Sequence, residues 1–266
     1  MPNSGNNPAS TPKNLAASIG RNTLYGVVAN VAQVGTRLIS VPIVIRHLGL
    51  DGYGMWNVIM MTATYMRFGS VGVKTAFQKY VAEATGNGDY QTANKLLSTG
   101  CAMMLGLSLA ALIPVAMFSA DIARFAGVPV AFQASASKAI ALLAIIILMA
   151  NVGAVFEAIV MGGHRIDLVR KIATALSIAE AAGIVIALSL GHGLFAMAGV
   201  MGMSELAYVL GCYLASRSIV PQIQIRARHL SRDVLYELFR FAASYQLVNL
   251  LEVVYSNSSG RAGILE

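Results

Sequence analysis

Residues 96–118 read LLSTGCAMMLGLSLAALIPVAMF and residues 139–156 read AIALLAIIILMANVGAVF, and neither stretch holds a charged side chain. Roughly 20 mostly apolar residues cross the hydrocarbon core of a bilayer, so each is a candidate membrane span on length alone. The rest of the chain agrees. Of its 266 residues 56% are hydrophobic and 12% charged, against about 25% charged in a soluble domain.

Working outward from these two stretches, apolar runs separated by charged or glycine-punctuated connections divide the chain. The expected spans are residues 22–45, 53–73, 96–118, 137–161, 172–190 and 194–215. Leu48-Gly49-Leu50-Asp51-Gly52-Tyr53-Gly54 and Gly191-His192-Gly193 are the tight turns between neighbours. A weaker apolar pattern at 236–255, interrupted by Arg240 and Glu252, is a partial seventh helix. The expected fold class is therefore all-α: a multi-pass transmembrane helix bundle of six helices plus that partial seventh. The expected organisation is a disordered cytoplasmic tail at 1–21, a six-helix membrane lobe at 22–216 and a basic cytoplasmic loop at 217–235. The start of a second lobe at 236–255 and an irregular tail at 256–266 follow.

Alternation of six spans puts thirteen Lys and Arg residues on the side of the N-terminus and three (Arg46, Arg124 and Lys138) on the other. Cytoplasmic loops are the positive ones, so the N-terminus is expected in the cytoplasm. The same rule accounts for the net charge of +7 without nucleic acid as a partner. The first twenty residues lack the apolar core of a signal peptide.

The pattern excludes most enzyme chemistry. Gly191-His192-Gly193-Leu194-Phe195-Ala196 matches a dinucleotide fingerprint in letters, but it follows no strand and has no acidic partner about 20 positions on. His47, His164, His192 and His229 lie near segment ends and share no helix face, so no metal site is expected. Cys101 and Cys212 sit inside apolar runs as small hydrophobes. No catalytic residue and no cofactor is expected.

Ionisable groups at membrane depth cost about 2.5–3.5 kcal/mol each on insertion scales and face a cavity or a partner. Those at depth here are Arg37, Arg67, Glu157, Glu180 and Glu205. Asn30, Gln33 and Arg37 share one face of the first helix. A polar stripe is costly against lipid, so this face should look inward. Pro42 offers the same helix a place to kink.

Particular residues then resemble a family. Asn22 with Tyr25-Gly26 opens the first span, and Val41-Pro42-Ile43 precedes Arg46-His47-Leu48-Gly49 and Asp51-Gly52-Tyr53-Gly54-Met55-Trp56. Gly69-Ser70-Val71-Gly72, Lys79-Tyr80-Val81-Ala82-Glu83 and Gly88-Asp89 follow, with Gly162-Gly163-His164-Arg165 and Leu238-Phe239-Arg240-Phe241 as later landmarks. This succession, most specific over 22–100, resembles the polysaccharide biosynthesis proteins. These are the flippase-like, O-antigen-type branch of the multidrug/oligosaccharidyl-lipid/polysaccharide (MOP) exporter superfamily.

The resemblance implies a MATE-like fold of two six-helix lobes around a central cavity, in a bacterial inner membrane. It implies translocation of a lipid-linked oligosaccharide for cell-surface polysaccharide, with Arg37 holding the pyrophosphate and Gln33 and Asn30 beside it. Glu157, Glu180 and Glu205 would balance charge or exchange protons. Besides membrane lipids, the partners implied are the lipid-linked oligosaccharide and a second lobe or second copy, since the chain spans one lobe and reads as a truncated form. Two alternatives stand beside this. One is a cation-coupled multidrug exporter of the same superfamily, with acids rather than Arg37 at its core. The other is a non-transporting scaffold for polysaccharide assembly.

Overall fold

The computed structural model describes residues 41–64, 77, 79–163 and 165–262. Residues 41–64 (α1, helical on both sides of a break at Gly49) and 79–86 (α2) are helical. Then come α3 (Tyr90–Met117), α4 (Ser119–Phe125), α5 (Val130–Gly162), α6 (Ile166–Ser189) and α7 (Leu194–Ile219). A single 3-10 turn at Ala227–His229 leads to α8 (Arg232–Ala262). Among the described residues every regular element is helical, as the composition predicts.

Four of these helices, α3, α5, α6 and α7, are long and apolar enough to cross a membrane. They account for the last four of the six expected spans. Of the first two, residues 41–45 and 53–64 are described, and α1 shows the turn expected between them. Gly49 has φ 73°, left-handed backbone through which a right-handed helix cannot run, and glycine alone adopts it without strain.

The 33 residues of α5 make a rod about 50 Å long, and α3, α4, α6 and α7 all pack on it. Half of its most apolar window is buried inside the bundle, against 11% for α6. So α5 is the axis, and most of the apolar window of α6 is exposed on the outside of the bundle. Close approach at the axis depends on small residues. A Cβ on Gly153 would lie 2.5 Å from Cγ2 of Val209 on α7, and one on Gly100 of α3 would run into the Phe77 ring.

Several boundaries differ from the sequence reading. Helix α3 starts six residues before the apolar run, because the Asp89 carboxylate accepts the Thr92 N–H at 3.0 Å and caps it. The connection after α3 contains α4, which hydropathy alone does not reveal because seven residues are too few to span. Helix α8 runs on to Ala262, past the point where 256–266 was expected to be irregular. Backbone hydrogen bonding continues there although the apolar pattern has ended.

The basic connections gather at one end. Gly162 abuts Ala82 and Thr85, and Gly163 abuts Ile219. Residues 220–231, between α7 and α8, lie on α3. The backbone N–H groups of Gln224, Arg226 and Ser231 donate to Asn94 Oδ1 (2.8 Å), Ser98 Oγ (3.1 Å) and Thr99 Oγ1 (3.0 Å). Lys79, Lys95, Arg165, Arg170, Lys171, Arg217, Arg226, Arg228 and Arg232 therefore lie at this end of the bundle. At the other end Val44, Trp56, Ala123, Val128 and Ala139 share one apolar core, and Arg46, Arg124 and Lys138 lie there. For the described loops, the charge asymmetry is a property of the folded molecule.

Candidate functional site

Helix α6 repeats a polar position through an apolar run at Ser177 and Glu180, and α7 does so at Ser204, Glu205 and Tyr208. Spacings of three and four put each set on one helical face. The two faces turn toward each other and toward Ile146 of α5. Between them lies a cavity of about 370 Å³, lined by Ser177, Glu180, Ser204, Glu205 and Tyr208 and walled by Leu176 and Met201.

Glu157, on α5, is 9% exposed. The Tyr208 side chain lies beside both Glu157 and Cys212. Tyr208 thus connects the wall of the cavity to the buried carboxyl behind it. Of the membrane-depth charges singled out in the sequence, Glu180 and Glu205 meet in one cavity, and Glu157 reaches its edge beside Tyr208. Arg37, Gln33, Asn30 and Arg67 lie outside the described residues.

Ser177, Ser204 and Tyr208 are the residues that sequence reasoning missed. The signal was present: it is the same helical spacing that groups Asn30, Gln33 and Arg37. Uncharged hydroxyls are cheap enough at membrane depth to pass as filler. Here they supply donors and acceptors beside the carboxylates, so the cavity offers oxygen ligands to a cation or a proton. Among the described residues no group of three or more His, Cys, Asp and Glu has the arrangement to hold a metal ion.

A second cavity, of about 290 Å³, opens at the basic end between α3, α5, α7 and the segment after α7. Its polar head is Arg217. The guanidinium stands 6.0 Å from the Tyr213 ring centroid and donates to the Ile223 carbonyl at 3.4 Å. The Tyr213 ring meets Phe156 edge to face at 5.2 Å.

Comparison with known proteins bears on the fold. No protein-family model matches the chain, and neither does any curated protein. Among solved structures the chain is similar to an inward-facing conformation of a multidrug resistance MATE family transporter of the MOP superfamily. The TM-score is 0.57 and the identity 18%, and the match covers 85% of this chain and 50% of that one. The chain spans half the length of the protein it matches. At that identity the likeness is one of fold, and the fold is that of one lobe of a MATE-like transporter.

Proposed function

We propose that this chain is one lobe of a two-lobed alternating-access carrier, and that its cargo is a lipid-linked oligosaccharide crossing a bacterial inner membrane. The observation that carries the reading is the match of 85% of the chain to half of a transporter. Alternating access works by two such units rocking about a central site, so the activity belongs to this lobe with a second lobe or second copy. The choice of cargo rests on the sequence resemblance over 22–100. In this reading Arg37 binds the pyrophosphate, with Gln33 and Asn30 beside it on the first helix. Planar guanidinium donors suit phosphate oxygens, and a wall of low dielectric strengthens the attraction. The end that collects the basic loops faces the cytoplasm, and the N-terminus lies on the same side.

A specific observation favours a second reading, cation-coupled export within the same superfamily. The cavity between α6 and α7 holds Glu180 and Glu205, the type of group a coupling cation or proton needs.

One transport experiment separates the two. The two-lobed carrier is reconstituted in vesicles and assayed for flipping of a lipid-linked sugar and for efflux of a cationic dye. For the flippase, Arg37→Ala lowers flipping roughly tenfold or more, the scale of a charged hydrogen-bonded contact, while the protein stays inserted. For the exporter, the double variant Glu180→Gln/Glu205→Gln abolishes dye efflux and Arg37→Ala leaves it unchanged. Flipping that survives Arg37→Ala unaltered defeats the role given to Arg37.

A further inference from the structure

We propose that the cavity of about 290 Å³ at the basic end is a binding site for an anionic phospholipid, with Arg217 holding the phosphate. This site is separate from the cavity between α6 and α7 and does not depend on what the carrier moves.

The lining divides into a cationic mouth and apolar walls. Phe156, Ile159, Val220, Ile223 and Ile225 form the walls, and Arg217 stands over Tyr213 beside them. The Ile223 carbonyl occupies one of the five N–H donors of that guanidinium. Among the described residues no carboxylate forms an ion pair with Arg217. The Ser216 hydroxyl in the lining is committed to the Tyr213 carbonyl at 2.7 Å, so the guanidinium is the donor that faces an incoming ligand.

Three features select the ligand. A free phosphate would satisfy the guanidinium but leave the apolar walls wet, whereas an acyl chain covers them. A zwitterionic lipid would bring its own cation against Arg217, Arg226, Arg228 and Arg232, a stretch without a single acidic residue. An anionic head meets charge complementarity there. Finally, the volume lies at the low end for small-molecule pockets. It suits the part of one chain just below a headgroup, with the rest of the lipid left in the bilayer.

Arg217 occupies the last turn of α7. Helix carbonyls repel an anion at that position, so among the lining residues the phosphate contact rests on Arg217. The other wall is the segment after α7, which α3 already holds by hydrogen bonds. A bound lipid would tie that segment to the lobe a second time.

Cys101 lines the cavity, and its thiol is free, which provides a direct readout of occupancy. The full chain with Cys212→Ser is purified in a neutral detergent and titrated with phosphatidylglycerol, phosphatidylcholine or inorganic phosphate. Alkylation of Cys101 by a maleimide and the unfolding temperature are both followed. Phosphatidylglycerol should slow alkylation and raise the unfolding temperature, while phosphatidylcholine and inorganic phosphate do neither. Arg217→Gln should weaken the phosphatidylglycerol effect about tenfold, and Arg170→Gln, an exposed arginine on α6, should leave it unchanged. Should Arg217→Gln fail to fold, Arg217→Lys keeps the charge but loses the fork, and it should weaken binding by a smaller factor. Equal protection by phosphatidylcholine or by inorganic phosphate overturns the proposal, as does an unaltered response in the Arg217 variants.

Discussion

At the end of the bundle that holds Arg46, Arg124 and Lys138, α1, α4, α5, α6 and α7 meet through Trp56, Ile59, Ala123, Leu143, Leu188 and Met197, all buried. Polar contacts there are few, such as the 2.8 Å hydrogen bond between Ser119 and Ser137. The basic end has an apolar core of its own, through Val81, Leu97, Val155, Ile159 and Leu238, and carries directional contacts besides. Three backbone N–H groups of the segment after α7 donate to side chains of α3, and the Lys79 ammonium lies 5.4 and 5.5 Å from the rings of Tyr80 and Phe241. Both ends are closed by apolar packing, and the basic end adds directional bonds to it. Apolar contacts have no preferred angle and stay well packed only while the pieces fit. Hydrogen bonds can be exchanged for water or a ligand at small net cost. The basic end, where α7 passes the chain on to α8, therefore holds the contacts that can answer to its surroundings.

The comparison makes its largest demand at the apolar end. Leu143→Ala removes a side chain that is 3% exposed from the middle of that core. In water such a truncation costs about 2–5 kcal/mol. In a bilayer the transfer part shrinks because lipid tails are as apolar as leucine, and the cavity and lost contacts remain. The expected loss is about 2 kcal/mol by denaturation in mixed micelles. A loss below about 1 kcal/mol would mean that this end relaxes as easily as the other, and the contrast would fail.

A smaller, more local effect is expected at the basic end. Ser98 and Thr99 are 4% and 2% exposed, whereas Arg226 is exposed and Ser231 half-buried, so water can take the place of a lost acceptor and the cost stays small. Ser98→Ala and Thr99→Ala should each cost about 1 kcal/mol. The sharper readout is amide exchange. The Arg226 and Ser231 N–H groups should exchange about fivefold faster in the matching variant, while amides around Leu143 stay as they were. Uniform acceleration across the bundle would show that the segment after α7 is not fastened separately.

Helices α3, α5, α6 and α7 were legible in the sequence because membrane spans are written in length and the absence of charge, both local properties. The turn at Gly49 was legible for a similar reason, since φ 73° names its residue. What local reading could not supply was which helix is the axis. Both α5 and α6 read as apolar spans, and only packing separates the half-buried rod from the largely exposed one. The site divided in the same way. Glu180 and Glu205 stood out as charges, but their meeting in one cavity is a matter of which face of α6 turns to α7. Ser177, Ser204 and Tyr208 became visible only once those faces were paired. Arg217 was counted in the sequence as one more positive-inside charge. Its place in a cavity follows from the fold of residues 220–225 back over α3, which no pattern within the segment predicts.

The smallest expected effect concerns the cap at the rim of the basic end. Asp89 is exposed, and the backbone N–H of Thr92, donating to its carboxylate at 3.0 Å, holds its pKa below the ordinary aspartate value. A carboxyl whose folded pKa is depressed contributes stability that is complete above its unfolded value, about 3.9. That contribution disappears as pH falls through the lower folded value. The first turn of α3 should therefore keep constant protection from neutral pH down to about pH 4 and begin to fray below it. Asp89→Asn keeps an acceptor of nearly equal capping strength and should abolish that pH dependence without opening the helix at neutral pH. Asp89→Ala should raise exchange of the Gln91, Thr92 and Ala93 amides a few-fold at every pH. Because α3 carries Asn94, Ser98 and Thr99 only a turn or two further on, the same variants show whether fraying reaches the bonds that hold the segment after α7. If exchange at Gln224 accelerates together with exchange at Thr92, the directional contacts of the basic end act as one unit. If it stays at the wild-type rate, each is fastened alone.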